Sequence, residues 1–162
     1  MADRDGSTCT DKRGDTYHVA VATEADTWAL ADMYDRFVPK AITQGLPPAD
    51  DKARLQWIND LLHNGINFIA WQDENAVGHA SLILDSERND GEYLIFVNEK
   101  LRNRGLGTEL TRFALQRGGE IGLAAIWLTV EALNFRAIKL YRKMGFSFCD
   151  AGERERTMIL RL

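Results

Sequence analysis

Hydrophobic positions along the chain follow two spacings, and the change from one to the other marks the secondary structure. Apolar runs that alternate, or that are short and unbroken, predict seven strands. These strands cover residues 17–22, 67–71, 76–84, 93–97, 125–130, 146–149 and 157–160. Apolar residues three and four apart predict four helices. These helices cover about residues 24–37, 51–62, 106–121 and 134–144.

Polar and turn-forming residues separate these segments. Thr23, with Asp26 three residues later, is typical of a helix N-cap with an acidic partner. A connection between the first two helices is marked by Pro39, Gly45, Pro47 and Pro48. Residues 1 to 16 are too polar and charged to bury much apolar surface, so we expect a flexible tail there. A single domain follows over residues 17–162.

The order of the elements predicts an α/β (α+β) fold. The segments at 93–97 and 125–130 are joined through a helix, which implies a parallel pair of strands. The strands before them are close enough in sequence to form an antiparallel meander. We therefore expect a mixed, mostly antiparallel central sheet of six to seven strands, flanked by about four helices, with one parallel strand-helix-strand crossover.

Composition narrows the class of protein. A chain of 162 residues with 45% hydrophobic content fits one domain with a sizeable core. A net charge of −4 argues against a general nucleic-acid binder. Two cysteines suggest neither a disulfide framework nor a zinc site. Since no apolar run reaches the roughly 20 residues of a membrane span, we expect a cytoplasmic protein without a membrane, nucleic-acid or metal partner.

The most informative stretch is the basic, glycine-bearing turn from Arg102 to Thr108, which links a strand to a helix. The first N–H groups of a helix lack intrahelical partners and favour anions. Gly105 and Gly107 let the backbone approach a ligand closely. A Gly-x-Gly occurs by chance about once in a chain of this length, so the turn needs support from elsewhere. No lysine follows the glycines as in a P-loop.

Two motifs together resemble the GNAT superfamily of N-acetyltransferases. The family's Arg/Gln-x-x-Gly-x-Gly/Ala motif stands here as residues 102–107. Its second motif, Asn-x-x-Ala-x-x-x-Tyr followed by Gly-Phe, stands as Asn134, Ala137, Tyr141, Gly145 and Phe146. The motifs occur in the family's order, separated by a predicted helix and strand. The resemblance extends from about Tyr17 to the C-terminus and implies a GNAT-like domain that uses acetyl-CoA.

The resemblance also implies how coenzyme A is bound. Backbone N–H groups of the turn would hold the pyrophosphate, with charge added by Arg102 or Arg104. The strands at 95–97 and 125–130 would splay apart around the pantetheine arm, and the acetyl group would lie near Phe96 and Val97. The implied cofactor-binding residues are Ile95, Phe96, Val97, Arg102, Asn103, Arg104, Gly105, Leu106, Gly107, Thr108, Asn134, Ala137 and Tyr141.

Tyr141 is the candidate general acid, because a tyrosine with an ordinary pKa near 10 is protonated at neutral pH. The alternative is that Tyr141 packs in the core and that Asn134 only caps a helix. Glu92 is the first candidate for the general base, unless it is an ordinary solvated carboxylate. Glu131 and an ordered water chain are the other candidates. With an ordinary histidine pKa, His79 would titrate near neutral pH, but a lone histidine in a strand is more often structural.

These features predict transfer of an acetyl group from acetyl-CoA to a primary amine of a small molecule, by direct attack in a ternary complex. The alternatives are acetylation of a protein lysine or N-terminus, and a non-catalytic acyl-CoA-sensing module. A homodimer remains open. Aspartates near the first two helices would favour a cationic amine, unless they are ordinary exposed helix charges: Asp26, Asp32, Asp35, Asp50 and Asp51. Nearby aromatic residues are predicted as core: Trp28, Tyr34, Phe37 and Trp57.

Overall fold

The structure, a computed structural model, describes residues 5–38 and 46–162. The strands in this part of the chain are β1 (Gly6–Thr10), β2 (Thr16–Val21), β3 (Gly65–Gln72), β4 (Asn75–Asp85), β5 (Asp90–Val97), β6 (Ala125–Glu131), β7 (Ser147–Phe148) and β8 (Glu155–Arg161). The helices are α1 (Thr27–Asp35), α2 (Asp51–Asn64), α3 (Leu106–Glu120) and α4 (Phe135–Lys143). All seven predicted strands and four predicted helices are present. Of the residues predicted to mark the connection between the first two helices, Pro39 and Gly45 lie outside the described residues, whereas Pro47 and Pro48 precede α2.

The strands form one sheet in the order β1-β2-β3-β4-β5-β6-β8-β7. Neighbouring strands are antiparallel except β5 and β6, which are parallel and connected through α3. This arrangement confirms the predicted mixed sheet with one crossover. Helices α1 and α2 cover one face, where Leu30 and Ile58 belong to one apolar cluster. Helices α3 and α4 cover the other face, where Leu110 and Ile138 belong to a second cluster.

Strand β1 corrects the prediction of a flexible tail over residues 1 to 16. Gly6–Thr10 pairs along its whole length with β2, so the sheet has eight strands rather than six to seven. The turn that follows β1 is organised by the Asp11 carboxylate. Its oxygens accept hydrogen bonds from the backbone N–H groups of Arg13 and Asp15 and from the Tyr17 hydroxyl. Residues 1–4 lie outside the described part.

Helix α1 begins later than the sequence predicts, after a 3₁₀ turn at Glu24–Asp26. The Asp26 carboxylate accepts a hydrogen bond from the Thr23 backbone N–H, as the predicted cap requires. The buried stripe of α1 runs through Leu30, Met33 and Tyr34. Trp28 lies off this stripe and is 85% exposed, so its assignment to the core is wrong. None of the helices in the described ranges is long and apolar enough to cross a lipid bilayer.

A buried polar chain links α1 to α2 through the sheet. The Asn67 side-chain amide donates to the Leu61 carbonyl, so its Oδ1 accepts from Nε2 of His79 at 2.8 Å. Nδ1 of His79 is then the acceptor for the Tyr34 hydroxyl at 2.6 Å. Burial lowers the pKa of His79 to about 3. His79 is therefore neutral and structural, which agrees with the expectation for a lone histidine in a strand.

Candidate functional site at the fork between two strands

A cleft opens where β5 and β6 separate. The two strands pair only over Asp90–Glu92 and Ala125–Trp127. Beyond Trp127, β6 continues its pairing with β8 alone. The remainder of β5, from Tyr93 to Val97, has β4 on one side and open space on the other. The resulting cleft has a volume of about 640 Å³.

Backbone groups of β5 face this gap. The Asn98 N–H donates to the Val77 carbonyl at 2.9 Å, which identifies these two residues as a hydrogen-bonded pair between β5 and β4. Such pairs alternate along an antiparallel ladder. Phe96 is therefore bonded to β4, whereas Ile95 and Val97 direct their N–H and C=O groups away from β4. The N–H groups of both residues and the Ile95 carbonyl offer hydrogen bonds to a ligand in the gap, whereas the Val97 carbonyl accepts one from Arg102.

The N-terminus of α3 lies at the mouth of the cleft. Its N-cap is Gly105, which has a φ of +99° and no side chain to cap the helix. The N–H groups of the first turn are thus left for a ligand. A Cβ atom at Gly107 would lie 3.5 Å from Leu140 and 3.8 Å from Ile95. A methyl group would fit there, but a longer side chain would fill the space that Gly107 leaves open. The site fits a phosphate group bound by backbone N–H groups.

All the predicted cofactor-binding residues line the cleft except Arg104 and Leu106. Leu106 packs in the apolar core beneath α3. The Arg104 guanidinium forms ion pairs with Asp11, at 2.7 Å, and with Asp15. Its charge is therefore compensated by two carboxylates of the β1–β2 turn. Of the two arginines expected to add charge to the phosphate site, these ion pairs favour Arg102 over Arg104.

Arg102 lines the cleft, but its guanidinium is held by the protein. Nε donates to the Val97 carbonyl at 3.2 Å, and Nη2 donates to the Val38 carbonyl at 3.1 Å. The group also lies over the ring of Phe37, 5.4 Å from its centre. Arg102 thus joins the end of β5 to the end of the α1 segment, and its positive charge remains close to the cleft.

Tyr141 packs in the core and Asn134 caps a helix, as the structural alternative predicts, and both residues also line the cleft. Tyr141 is only 8% exposed and packs edge-on against Tyr93 and Phe146, yet it lines the cleft. Burial raises its pKa to about 12, and its hydroxyl has no hydrogen-bond partner in residues 5–38 and 46–162. Asn134 is the N-cap of α4, where its Oδ1 accepts from the Ala137 N–H, and it also lines the cleft.

Glu92 lies where β5 and β6 begin to separate. It is the last residue of β5 that pairs with β6, and its half-buried side chain lines the cleft. Burial raises the pKa of its carboxyl. Within the described ranges no hydrogen bond or ion pair holds that carboxylate.

Glu131 also lines the cleft but is exposed. Its cross-strand partner Glu155 was not considered from the sequence, because its position depends on the pairing of β6 with β8.

The aspartates near α1 and α2 are engaged elsewhere, and none of them lines the cleft. Asp35 and Asp51 pair with the buried Arg54 guanidinium. Asp32 pairs with Arg36, while Asp26 and Asp50 accept helix-capping hydrogen bonds. Their interpretation as ordinary helix charges is the one that the structure supports.

An aromatic cluster forms the α1 side of the cleft. The rings of Tyr34, Phe37 and Phe96 pack edge-to-face, with centres 5.6 to 5.8 Å apart. Trp57 from α2 packs against Tyr34 and Phe96. Phe37, Phe96 and the nearby Leu46 line the cleft. This wall is apolar, whereas the mouth is basic and Glu92 is acidic.

A known protein family matches most of this chain. The model of the acetyltransferase (GNAT) family matches residues 28–146 of this chain. The chain belongs to the GNAT family. A streptothricin acetyltransferase from Streptomyces lavendulae is 44% identical over 48 residues, which are 30% of this chain. The match covers 25% of that protein, so the similarity of this GNAT chain extends over about a quarter of its relative's length.

Solved structures share the fold. The GNAT domain of S. lividans PAT has a TM-score of 0.84 at 13% identity, over 97% of both chains. The structure of yncA from Salmonella typhimurium, with its cofactor acetyl-CoA, has a TM-score of 0.69 at 20% identity. This match covers 90% of the present chain and 94% of the yncA chain. Identities this low establish the fold alone.

Proposed function

We propose that this protein transfers an acetyl group from acetyl-CoA to a primary amine of a small molecule, by direct attack of the amine. The observation that carries the proposal is the fork between β5 and β6. Around it lie backbone groups of β5 that are not bonded to β4, an uncapped helix N-terminus, and two ionisable side chains that have no partner among the described residues. A streptothricin acetyltransferase among the relatives supports a small-molecule acceptor.

Acetyl-CoA, when bound, would supply the thioester, and coenzyme A would depart as the thiolate when the amine takes the acetyl group. The N–H groups at the start of α3 would hold its pyrophosphate, since they point at the mouth of the cleft and carry the positive end of the helix dipole. Ile95 and Val97 would pair with amide groups of its pantetheine arm. A backbone N–H of this segment would also stabilise the oxyanion that develops on the carbonyl.

Glu92 would take the proton from the attacking amine. An amine is mostly protonated at neutral pH and must lose a proton before it can attack. The raised pKa of the Glu92 carboxyl makes it a stronger base than an exposed glutamate. It also has no competing partner in the described part of the chain. Glu131 is the weaker candidate because it is exposed.

Tyr141 would stabilise the departing sulfur. With a pKa of about 12, its hydroxyl keeps its proton throughout the physiological range. The hydroxyl has no partner in the described ranges, so it can donate to the sulfur as negative charge develops there. Buried rings on both sides fix its direction.

The test is release of free thiol from acetyl-CoA in the presence of amino acids, aminoglycosides, polyamines and lysine-bearing peptides. Mass spectrometry of each acceptor should show an added acetyl group on the nitrogen of a small molecule. Acetylation restricted to peptides would favour the protein-acetyltransferase alternative. Tight binding of acetyl-CoA with no thiol release from any acceptor would favour the acyl-CoA sensor.

A further inference from the structure

We infer that Lys12, on the turn between β1 and β2, is a phosphate-binding residue of the cleft. The inference rests on the proposed function, because the phosphate is one of those of coenzyme A. Lys12 lies outside both motifs that point to this family and comes from a segment that the sequence predicts to be a flexible tail. The structure nevertheless places it among the residues that line the cleft.

The turn is attached directly to the start of α3. The Lys12 backbone N–H donates to the Arg104 carbonyl at 2.9 Å, and Arg104 immediately precedes the N-cap Gly105. The ammonium group extends roughly 6 Å from Cα on its four-carbon stem. An anion bound by the first turn of α3 is therefore within reach of Lys12.

The position of Lys12 is fixed by hydrogen bonds within the turn. The Asp11 N–H donates to the Asp15 carbonyl, and the Gly14 N–H donates to the Asp11 carbonyl. Gly14 has a φ of +91°, which favours glycine. Burial opposes ionisation of Asp11, but its hydrogen bonds and the Arg104 charge keep the pKa of its carboxyl below the usual value. The turn therefore remains attached to Arg104 at neutral pH.

The charges around α3 leave Lys12 available. Arg104 is neutralised by Asp11 and Asp15, and Arg102 is bonded to two backbone carbonyls. Across residues 5–38 and 46–162, the Lys12 ammonium has no ion pair or hydrogen bond. A charged donor without a partner, held beside uncapped helix N–H groups, is suited to a phosphate oxygen.

The experiment compares three full-length proteins: the wild type, Lys12→Gln and Arg13→Gln. Arg13 is the matched control, because it is the next residue, is exposed and loses the same charge, but does not line the cleft. Isothermal titration calorimetry with coenzyme A, at low and high salt, gives the dissociation constants. We expect Lys12→Gln to weaken binding about tenfold at low salt and less at high salt, where charge is screened. Arg13→Gln should remain within about twofold of the wild type.

The same titrations with 3′-dephospho-coenzyme A identify the phosphate. The Lys12→Gln effect disappears with this ligand if Lys12 contacts the 3′-phosphate, and persists if it contacts the pyrophosphate; both results support the inference. Equal affinity of the wild type and Lys12→Gln for coenzyme A overturns the inference about Lys12 and leaves the proposed function unaffected. Failure of the wild type to bind coenzyme A overturns the proposed function and the inference with it.

Discussion

Acidification from pH 8 to pH 5 should destabilise the fold through His79. Burial lowers its pKa from 6.5 to about 3 in the native state, and unfolding restores the ordinary value. Between these two values the unfolded chain binds a proton that the native protein does not, so the free energy of unfolding falls as the pH falls. Linkage gives a loss of about 2 kcal/mol between pH 8 and pH 5. Below pH 5 the loss continues at about 1.4 kcal/mol per pH unit, until the native state titrates near pH 3.

Urea denaturation of the wild type and His79→Gln, at each pH from 8 to 5, measures the contribution of His79 to the free energy of unfolding. Glutamine retains an N–H for Asn67 but does not titrate, while His18 and His63 are the same in both proteins. The variant should be less stable at pH 8, yet lose about 2 kcal/mol less on acidification. In melting temperature that difference corresponds to about 4–8 °C. A stability difference between the two proteins that stays constant from pH 8 to pH 5 would refute the reasoning.

Three further predictions concern the cleft. Tyr141→Phe should lower kcat by about 10²–10⁴-fold with little change in acetyl-CoA affinity by calorimetry, and unchanged turnover would exclude an acid role. Glu92→Gln should lower kcat/KM by a similar factor, whereas Glu131→Gln should not. Because burial raises the pKa of Glu92, the wild-type rate should fall with decreasing pH at an apparent pKa above 4.5; a pH profile shared by wild type and Glu92→Gln would contradict this. Gly107→Leu should weaken coenzyme A binding at least tenfold, while Gly119→Leu on the open side of the same helix should not. Equal Kd values for these two variants would count against a phosphate site at the start of α3.

The sequence predicts the elements around the cleft because their signals are local. The apolar spacing of Leu106, Leu110 and Ala114 defines α3 without knowledge of the rest of the fold. Gly105 and Gly107 mark the turn before it in the same way. The second motif then ties α4 to the same site. Each of these signals occupies a short stretch of sequence, so each can be interpreted before the strands are arranged.

The β1–β2 turn and the role of Arg104 depend on distant contacts and could not be predicted in this way. Gly6–Thr10 has no apolar alternation that would predict a strand. The segment is held in place by its pairing with β2 and by the ion pairs of Arg104 with Asp11 and Asp15. A sequence displays the charge of Arg104 but not the carboxylates that neutralise it. Lys12 could not be predicted for the same reason, because it lies beside the cleft only when the β1–β2 turn contacts the start of α3.

The short pairing of β5 with β6 also has a mechanical consequence. Strands β1 to β5 form one half-sheet, and β6, β8 and β7 form another. Among the described residues, three residue pairs, ending at Glu92 and Trp127, join the halves within the sheet. A ligand bonded to the free edge of β5 and to residues beside β6 would bridge them, so its binding free energy would also oppose their separation. Binding of the proposed ligand should therefore slow amide hydrogen exchange in the strands on both sides of the cleft.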